Sequence, residues 1–165
     1  MRKPISIIVA IADNNAIGKD NKLLTYIPGD LKRFKELTSG HTVVMGRRTF
    51  ESLPNGPLPQ RVNIVITHDP GLSIEGCRMA HSVEEALNFC QSEDENFIIG
   101  GETIYRAFLP FADKLYITRI FKSFEADTFF PEIRDCEWAE IHREDFSETP
   151  KNDFKFSFII YQRKK

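Results

Sequence analysis

The residues with most chemical potential stand at three places where an apolar run gives way to a helical pattern. The first is Ile27-Pro28-Gly29-Asp30-Leu31-Lys32-Arg33-Phe34. Pro-Gly ahead of an acid opens a helix, and an acid in the first turn complements the helix dipole. Set against Leu31, Phe34 and the first apolar run, Asp30 could instead accept two hydrogen bonds from a planar, amidine-like group of a ligand. The second place is Gly46-Arg47-Arg48-Thr49. Backbone N–H groups at such a helix start favour an anion, and arginine forks suit phosphate, although solvated surface arginines fit the same residues. The third is Ile98-Ile99-Gly100-Gly101-Glu102-Thr103-Ile104-Tyr105. Paired glycines there let a backbone approach a ligand closely, but the spacing is not GxGxxG, and a tight turn without a ligand explains them equally.

Other polar residues carry less. His41, His68, His81 and His142 are scattered; only His68, beside Thr67 at the end of an apolar run, is placed to edge the same groove as the arginines. Arg61, just before that run, suits a substrate carboxylate or plain solvent. Neither GxSxG, HExxH, a Walker sequence nor a paired Cys and His occurs. Cys77, Cys90 and Cys136 are odd in number and far apart. They form no CxxC and lie at no metal-ligand spacing, which argues against a disulfide framework or zinc and for a reducing compartment.

The elements that must position these residues are legible as periodic runs. Segments 5–12, 42–45, 62–67, 97–99 and 115–120 are short, continuous and rich in β-branched residues, as in strands buried on both faces of a parallel sheet. Helical patterns lie between them. Leu31, Phe34 and Leu37 share one face of a helix ending near Gly40. Residues 47–53 make a second helix, stopped by Pro54. Ser82-Val83-Glu84-Glu85 reads as a capping box opening a third, with Ala86, Leu87 and Cys90 facing inward. Residues 101–109 make a fourth, ended by Pro110. Residues 138–145 and 154–161 flank a polar turn, and Phe154, Phe156 and Phe158 alternate with Lys155 and Ser157, which predicts an antiparallel hairpin. The expected fold is therefore α/β: one domain spanning residues 1–165, with a mostly parallel central sheet, about four flanking helices and the hairpin at its edge. Ligands of such sheets bind beyond the carboxyl ends of the strands.

Composition limits the partners. A net charge of −2 without a basic block gives nucleic acid no obvious purchase. Arg2-Lys3 and the run at 5–11 imitate a signal peptide, but the stretch is shorter than the roughly 15–30 residues such segments need, and a buried first strand is the better reading. No apolar run nears the roughly 20 residues that span a bilayer. A small-molecule site in a cytoplasmic monomer is expected.

Taken in order, these residues resemble the dihydrofolate reductase family. The resemblance rests on the first strand, Ala16-Ile17-Gly18-Lys19-Asp20-Asn21, Pro28-Gly29-Asp30-Leu31-Lys32-Arg33-Phe34, and Val44-Met45-Gly46-Arg47-Arg48-Thr49-Phe50-Glu51-Ser52. It continues through Pro57-Leu58-Pro59-Gln60-Arg61-Val62-Asn63, Ile99-Gly100-Gly101 with Tyr105, and Asp127-Thr128-Phe129-Phe130-Pro131. Each motif is weak alone, whereas the ordered set, from residue 5 to about 161, is specific. It implies NADPH-dependent reduction of dihydrofolate to tetrahydrofolate, by hydride transfer to pterin carbon 6 and protonation of nitrogen 5, and with it binding of antifolates. Asp30 would bind the pterin's 2-amino group and ring nitrogen, supported by Thr118. Ile8, Thr25, Leu31, Phe34 and Ile99 would wall the ring, and Arg61 would hold the glutamate tail. Ala10, Ile17, Gly18, Lys19, Asp20, Asn21 and Lys22 would flank the nicotinamide and ribose. Arg47, Arg48, Thr49, Thr67 and His68 would take the adenosine half and its 2′-phosphate. Gly100, Gly101, Glu102, Thr103, Ile104 and Tyr105 would follow the pyrophosphate, the glycine pair being joined by a cis peptide.

Two positions depart from the pattern. The family usually carries Pro-Trp where this chain has Leu24-Thr25, followed by Tyr26; the sole tryptophan, Trp138, lies far along the chain. Thr25 offers a hydroxyl that could hold the water usually placed by that Trp, but a smaller wall. Thr103 stands where some members have an arginine, which leaves Arg47 and Arg48 to select NADPH. Two alternatives remain: a related pyrimidine reductase of riboflavin synthesis, which would need neither Asp30 nor Arg61, and a nucleotide-binding module without turnover.

Overall fold

The computed structural model describes residues 3–20, 22–150 and 152–165. Its elements follow in chain order: β1 Ile5–Ala12, β2 Ala16–Gly18, α1 Asp30–Thr38, β3 Thr42–Gly46, α2 Arg47–Glu51 and β4 Val62–Ile66. After these come β5 Cys77–Ala80, α3 Val83–Phe89, β6 Asn96–Gly100, α4 Glu102–Phe108, β7 Lys114–Ile120, β8 Thr128–Phe129, β9 Trp138–Phe146 and β10 Phe156–Arg163. Eight strands form one sheet in the order β5-β4-β3-β6-β1-β7-β10-β9. The pairings β5-β4-β3-β6-β1-β7 are parallel, and β10 runs antiparallel to both β7 and β9. The short β2 and β8 pair separately.

Continuous apolar strands make sense because both faces are covered. Ile5, Ile7, Val9 and Ile11 of β1 point into one core with Val44, Ile64, Ile98, Leu115 and Ile117, closed by Ala86 of α3 and Tyr105 and Phe108 of α4. Ile8 faces the other way, with Val43, Met45, Val65, Phe97 and Tyr116, under Phe34 and Leu37 of α1 and Phe50 of α2. A third cluster gathers Ile27, Ile120, Phe154, Phe156 and Phe158 beside β10. At roughly 1.5–3 kcal/mol per buried large side chain, these layers carry most of the driving force for folding.

The parallel core, the four helices and the reversed C-terminal strand match the periodic reading, with ends displaced by a residue or two. Three short strands escaped it. β5 holds Cys77, Arg78 and Met79 at a sheet edge, with no alternation to announce it, and β2 and β8 have three and two residues. The capping box forms by half: the Ser82 hydroxyl accepts from Glu85 N at 3.0 Å, but the Glu85 carboxylate accepts from His81 N at 3.2 Å rather than from Ser82. Nor does Ser157 face solvent. It is buried, because β10 lies inside the sheet, and its hydroxyl donates to Asp145 Oδ1 at 2.5 Å.

Both edges of the sheet are defended. The outermost β9 exposes Glu140, His142, Arg143, Glu144 and Asp145, while β5 is only four residues long. No described helix is long and apolar enough to cross a membrane.

One buried phenol links layers that matter for the site. The Tyr105 hydroxyl lies 2.9 Å from the carbonyls of both Ile8 and Ile99, tying α4 to β1 and β6. Tyr105→Phe keeps the ring and strips both carbonyls of this donor. We expect it to lower stability by about 1–2 kcal/mol, visible as an earlier urea midpoint with an unchanged slope.

Candidate active site

Two clefts open beyond the carboxyl ends of the strands. The first, about 450 Å³ including space open to solvent, is lined by Ala10, Ile17, the segment Leu23 to Ile27, Asp30, Leu31 and Ile120. Its walls are mostly apolar, and among the described residues Asp30 is the only charged side chain lining them. Gly29 caps α1 in a left-handed conformation with φ of 80°, which turns the chain so that Asp30 enters the first helical turn. The Thr118 hydroxyl, one strand away on β7, donates to Asp30 Oδ1 at 2.6 Å. Burial pushes the Asp30 carboxyl above its ordinary range, against the Thr118 hydrogen bond and the nearby Arg33 charge, which both pull it down. A half-buried anion at the end of an apolar slot will accept hydrogen bonds from a flat, polar-edged heterocycle.

Leu31 is 68% exposed, so it does not share the inner face of α1 with Phe34 and Leu37 as its spacing suggested. It stands instead at the mouth of the cleft, with Leu23 and Tyr26, both also exposed. Thr25 lies on the same wall. Ile8, Phe34 and Ile99 belong to the apolar layer under α1 rather than to the open cleft. Arg61 lines neither cleft; its Nη1 donates to the Thr38 hydroxyl and its Nε to the Pro59 carbonyl, both at 2.9 Å, at the far end of α1.

The second cleft, about 610 Å³ on the same measure, is lined by Gly46, Arg48, Thr49, Ile66, Thr67, His68 and residues Gly101 to Ile104. Its polar groups are mostly donors or hydroxyls, which suits phosphates and sugar hydroxyls. The Gly100-Gly101 peptide is cis, and Gly100 has φ of 126°. A Cβ on Gly100 would stand 3.2 Å from the Tyr105 hydroxyl and 3.4 Å from Thr49 Oγ1, so only glycine lets these groups close on one another. Gly46 is pinched in the same way, since a Cβ there would meet Ile104 at 3.1 Å. Tyr105 itself is buried behind this turn, and Arg47 points away from the cleft, its Nε 3.5 Å from Glu51.

The segment between β1 and α1 is held from the side. Gly18 O accepts from Asp127 N and from the Thr128 hydroxyl, both at 3.1 Å, and Asp20 N donates to Asp127 Oδ2 at 2.9 Å. Lys19 Nζ lies 2.6 Å from Glu125, and Lys22 and Lys19 exchange backbone hydrogen bonds. Asn21 lies outside the described residues. The Glu102 carboxylate accepts from Phe129 N at 2.7 Å, so one short strand, β8, braces both β2 and the start of α4.

Sequence reasoning did not single out Leu23, Ile27, Ile120 or Ile66 as cleft residues. Ile120 carried no usable signal, since it reads as one more apolar strand residue. Leu23 and Tyr26 did: large apolar residues in an irregular segment have no strand or helix face to serve.

The family model for dihydrofolate reductase matches residues 4–163. The dihydrofolate reductase of Bacillus subtilis (strain 168) is 42% identical over 160 residues, covering 97% of this chain and 95% of the relative. Dihydrofolate reductase type 3 of Salmonella typhimurium is 42% identical over 161 residues, covering 98% and 99%. A solved structure, of dihydrofolate reductase from Enterococcus faecalis complexed with NADP(H) and RAB-propyl, superposes with a TM-score of 0.89 at 38% identity, covering 98% of this chain and 97% of that one. With an acid braced in an apolar slot, a donor-rich cleft beside it and near-complete coverage by these relatives, the chain belongs to the dihydrofolate reductase family.

Proposed function

We propose that the chain reduces 7,8-dihydrofolate to tetrahydrofolate with NADPH, supplying one-carbon metabolism, with the pterin ring in the first cleft and the cofactor in the second. The observation that carries this is the half-buried Asp30 carboxylate, held by Thr118 in a largely apolar cleft. A pyrimidine reductase would have no use for that acid, and a passive nucleotide module would need only the second cleft.

Asp30 accepts hydrogen bonds from the pterin's 2-amino group and adjacent ring nitrogen. Thr25 and Leu31 wall the ring on the cleft itself, with Ile8, Phe34 and Ile99 in the apolar layer beside it, and Arg61, oriented by Pro59 and Thr38, takes the carboxylate of the glutamate tail. The residues of the second cleft fit NADPH. Arg48, Thr67 and His68, with Arg47 nearby, offer cationic and hydroxyl partners to the adenosine half, and the glycines at 100 and 101 leave room beside Thr49 for a diphosphate. Glu102 is the one acid there, and its charge is engaged by Phe129 N and by Arg106 at 3.8 Å. Ala10, Ile17 and residues 18–22 flank the nicotinamide. When bound, NADPH supplies the hydride. The chain's own task is to align the two rings, exclude water and favour the protonated pterin. Asp30 fixes the ring and raises the basicity of nitrogen 5, and water delivers the proton. Free, separated thiols suit a reducing compartment, and we place the protein in the cytoplasm as a single chain that antifolates would inhibit.

Loss of nicotinamide absorbance on mixing the protein with NADPH and dihydrofolate tests the reading, and absence of turnover with both present would reject it. In that assay Asp30→Asn lowers turnover by about 10²–10³-fold, the range for removing one preorganised electrostatic partner. The same variant gains stability at neutral pH. A carboxyl whose folded-state pKa lies above its unfolded value weakens the fold as it ionises, so the thermal midpoint of Asp30→Asn exceeds that of the parent at pH 7, and the gap closes below about pH 4. Arg48→Ala raises KM for NADPH by about tenfold or more and KM for NADH far less, because a charge-assisted contact to the 2′-phosphate is worth roughly 1.5–3 kcal/mol.

A further inference from the structure

We propose that Arg33 is a positioning residue for the reaction: its guanidinium, seated on the Phe158 ring between two carboxylates, holds Asp30 in its charged, ring-binding form. The inference rests on the reading of Asp30 as the pterin's anchor and deepens it.

The geometry is set by one row of the sheet. Ala10 pairs with Thr118, Thr118 with Phe158, and Phe158 with Glu144, across β1, β7, β10 and β9. Partners in register share a face, so these four side chains lie in line. Ala10 lines the first cleft, and Thr118 grips Asp30. Phe158 carries Arg33, whose guanidinium carbon lies 4.4 Å from the ring centroid. Arg33 follows Asp30 by three residues on α1, which makes their side chains neighbours on the helix surface. The guanidinium therefore sits above the row between Asp30 on one side and Glu144 on the other. The aromatic floor is broad, for Phe146 and Phe156 both pack against Phe158, with centroids 5.0 and 5.7 Å away.

Arg33 is half-buried, and among the described residues no ion pair fixes it. A desolvated guanidinium stacked on a ring can do two things. It can brace packing, or it can lend its charge to nearby acids across a medium that screens poorly. Two observations favour the second. The ring it rests on is the register partner of the residue that binds Asp30, and Asp30 and Glu144 are the acids that support the charge on Arg33 against burial. The other titratable groups around this pair are tyrosines: the buried Tyr105 on α4, which feels Asp30, Tyr26 on the wall of the same cleft, and Tyr116 on β7, which interacts with Arg33 and donates to Glu95 at 2.8 Å. The Tyr105 and Tyr116 phenols sit above their usual range and stay neutral at physiological pH, so Arg33 is the positive charge that Asp30 feels.

The test follows the carboxyl directly. The ¹³C carboxyl resonance of Asp30, assigned by its disappearance in Asp30→Asn, is titrated in the ligand-free protein. Arg33→Met keeps length and ring contact but removes the charge, and it raises the midpoint by about one pH unit, the low end for loss of a close opposite charge. Arg33→Lys restores the charge and brings the midpoint most of the way back. The acid limb of kcat/KM for dihydrofolate, which reports ionisation in the free enzyme, moves with the resonance.

An Arg33→Met midpoint equal to the parent's, or a Lys variant displaced as far as the Met variant, overturns the proposal. So does a kcat/KM limb that stays put while the resonance moves. Should Arg33→Met fail to fold, Arg33→Gln decides: a midpoint raised above the parent's supports the coupling, and an unmoved or lower one refutes it. Failure of the underlying reading has a different signature, namely near-normal turnover in Asp30→Asn at neutral pH.

Discussion

The hydrogen bond from the Thr118 hydroxyl to the Asp30 carboxylate is the contact on which the rest of the structure depends. A carboxylate among apolar side chains is an expensive object, and the fold tolerates it only with a donor at hand and a cation near. That requirement fixes a good deal else. α1 must begin at residue 30, so the chain must turn at Gly29. β7 must bring Thr118 level with the end of β1, which its parallel register with Ala10 does. The partner strand on the far side must cover Thr118 with something large, and Phe158 does so. The reversed direction of β10 thus belongs to the architecture of the anion site as much as to the closure of the sheet.

The second cleft obeys a different constraint, close approach of backbone rather than burial of charge. Gly46 and Gly100 let β3, β6 and α4 converge to distances at which an added Cβ would press on its neighbours. Tyr105 then reaches under the turn to the carbonyls of Ile8 and Ile99, so the strand beside the first cleft and the turn beside the second share one hydroxyl. β8 adds a second tie, from Gly18 and Asp20 through Asp127 and Thr128 to Glu102. The two clefts are separate spaces on a common frame.

Most of this frame was legible in the sequence because it rests on strong local signals. Uninterrupted β-branched runs betray strands covered on both faces, and Pro-Gly-Asp marks the start of α1. What stayed hidden depended on register or on three-dimensional reach. No local pattern tells that Thr118 faces Asp30, because the pairing of β1 with β7 joins residues far apart in the chain; only the family resemblance supplied that contact. β5 was invisible because an edge strand of four residues has little periodicity to display. Leu31 misled for a related reason. Spacing three residues from Phe34 places it near the same helical stripe, yet at the first turn that stripe has already run past the core and into the mouth of the slot. Thr25, standing where the family usually has Trp, was noticed only against the pattern of the family; it lies on the cleft wall.

The dense charge on β9 has a meaning beyond its own strand. An open sheet carries a row of unpaired backbone donors and acceptors along each rim, and a flat apolar rim invites a second molecule to extend the ladder. Here the outer rim carries both signs of charge at Glu140, His142, Arg143, Glu144 and Asp145, and the opposite rim is cut short at four residues. A docking neighbour would have to strip water from those ions before gaining a single new backbone contact. The same decoration that leaves a counter-charge within reach of Arg33 therefore also protects the molecule from stacking into ribbons when it is crowded.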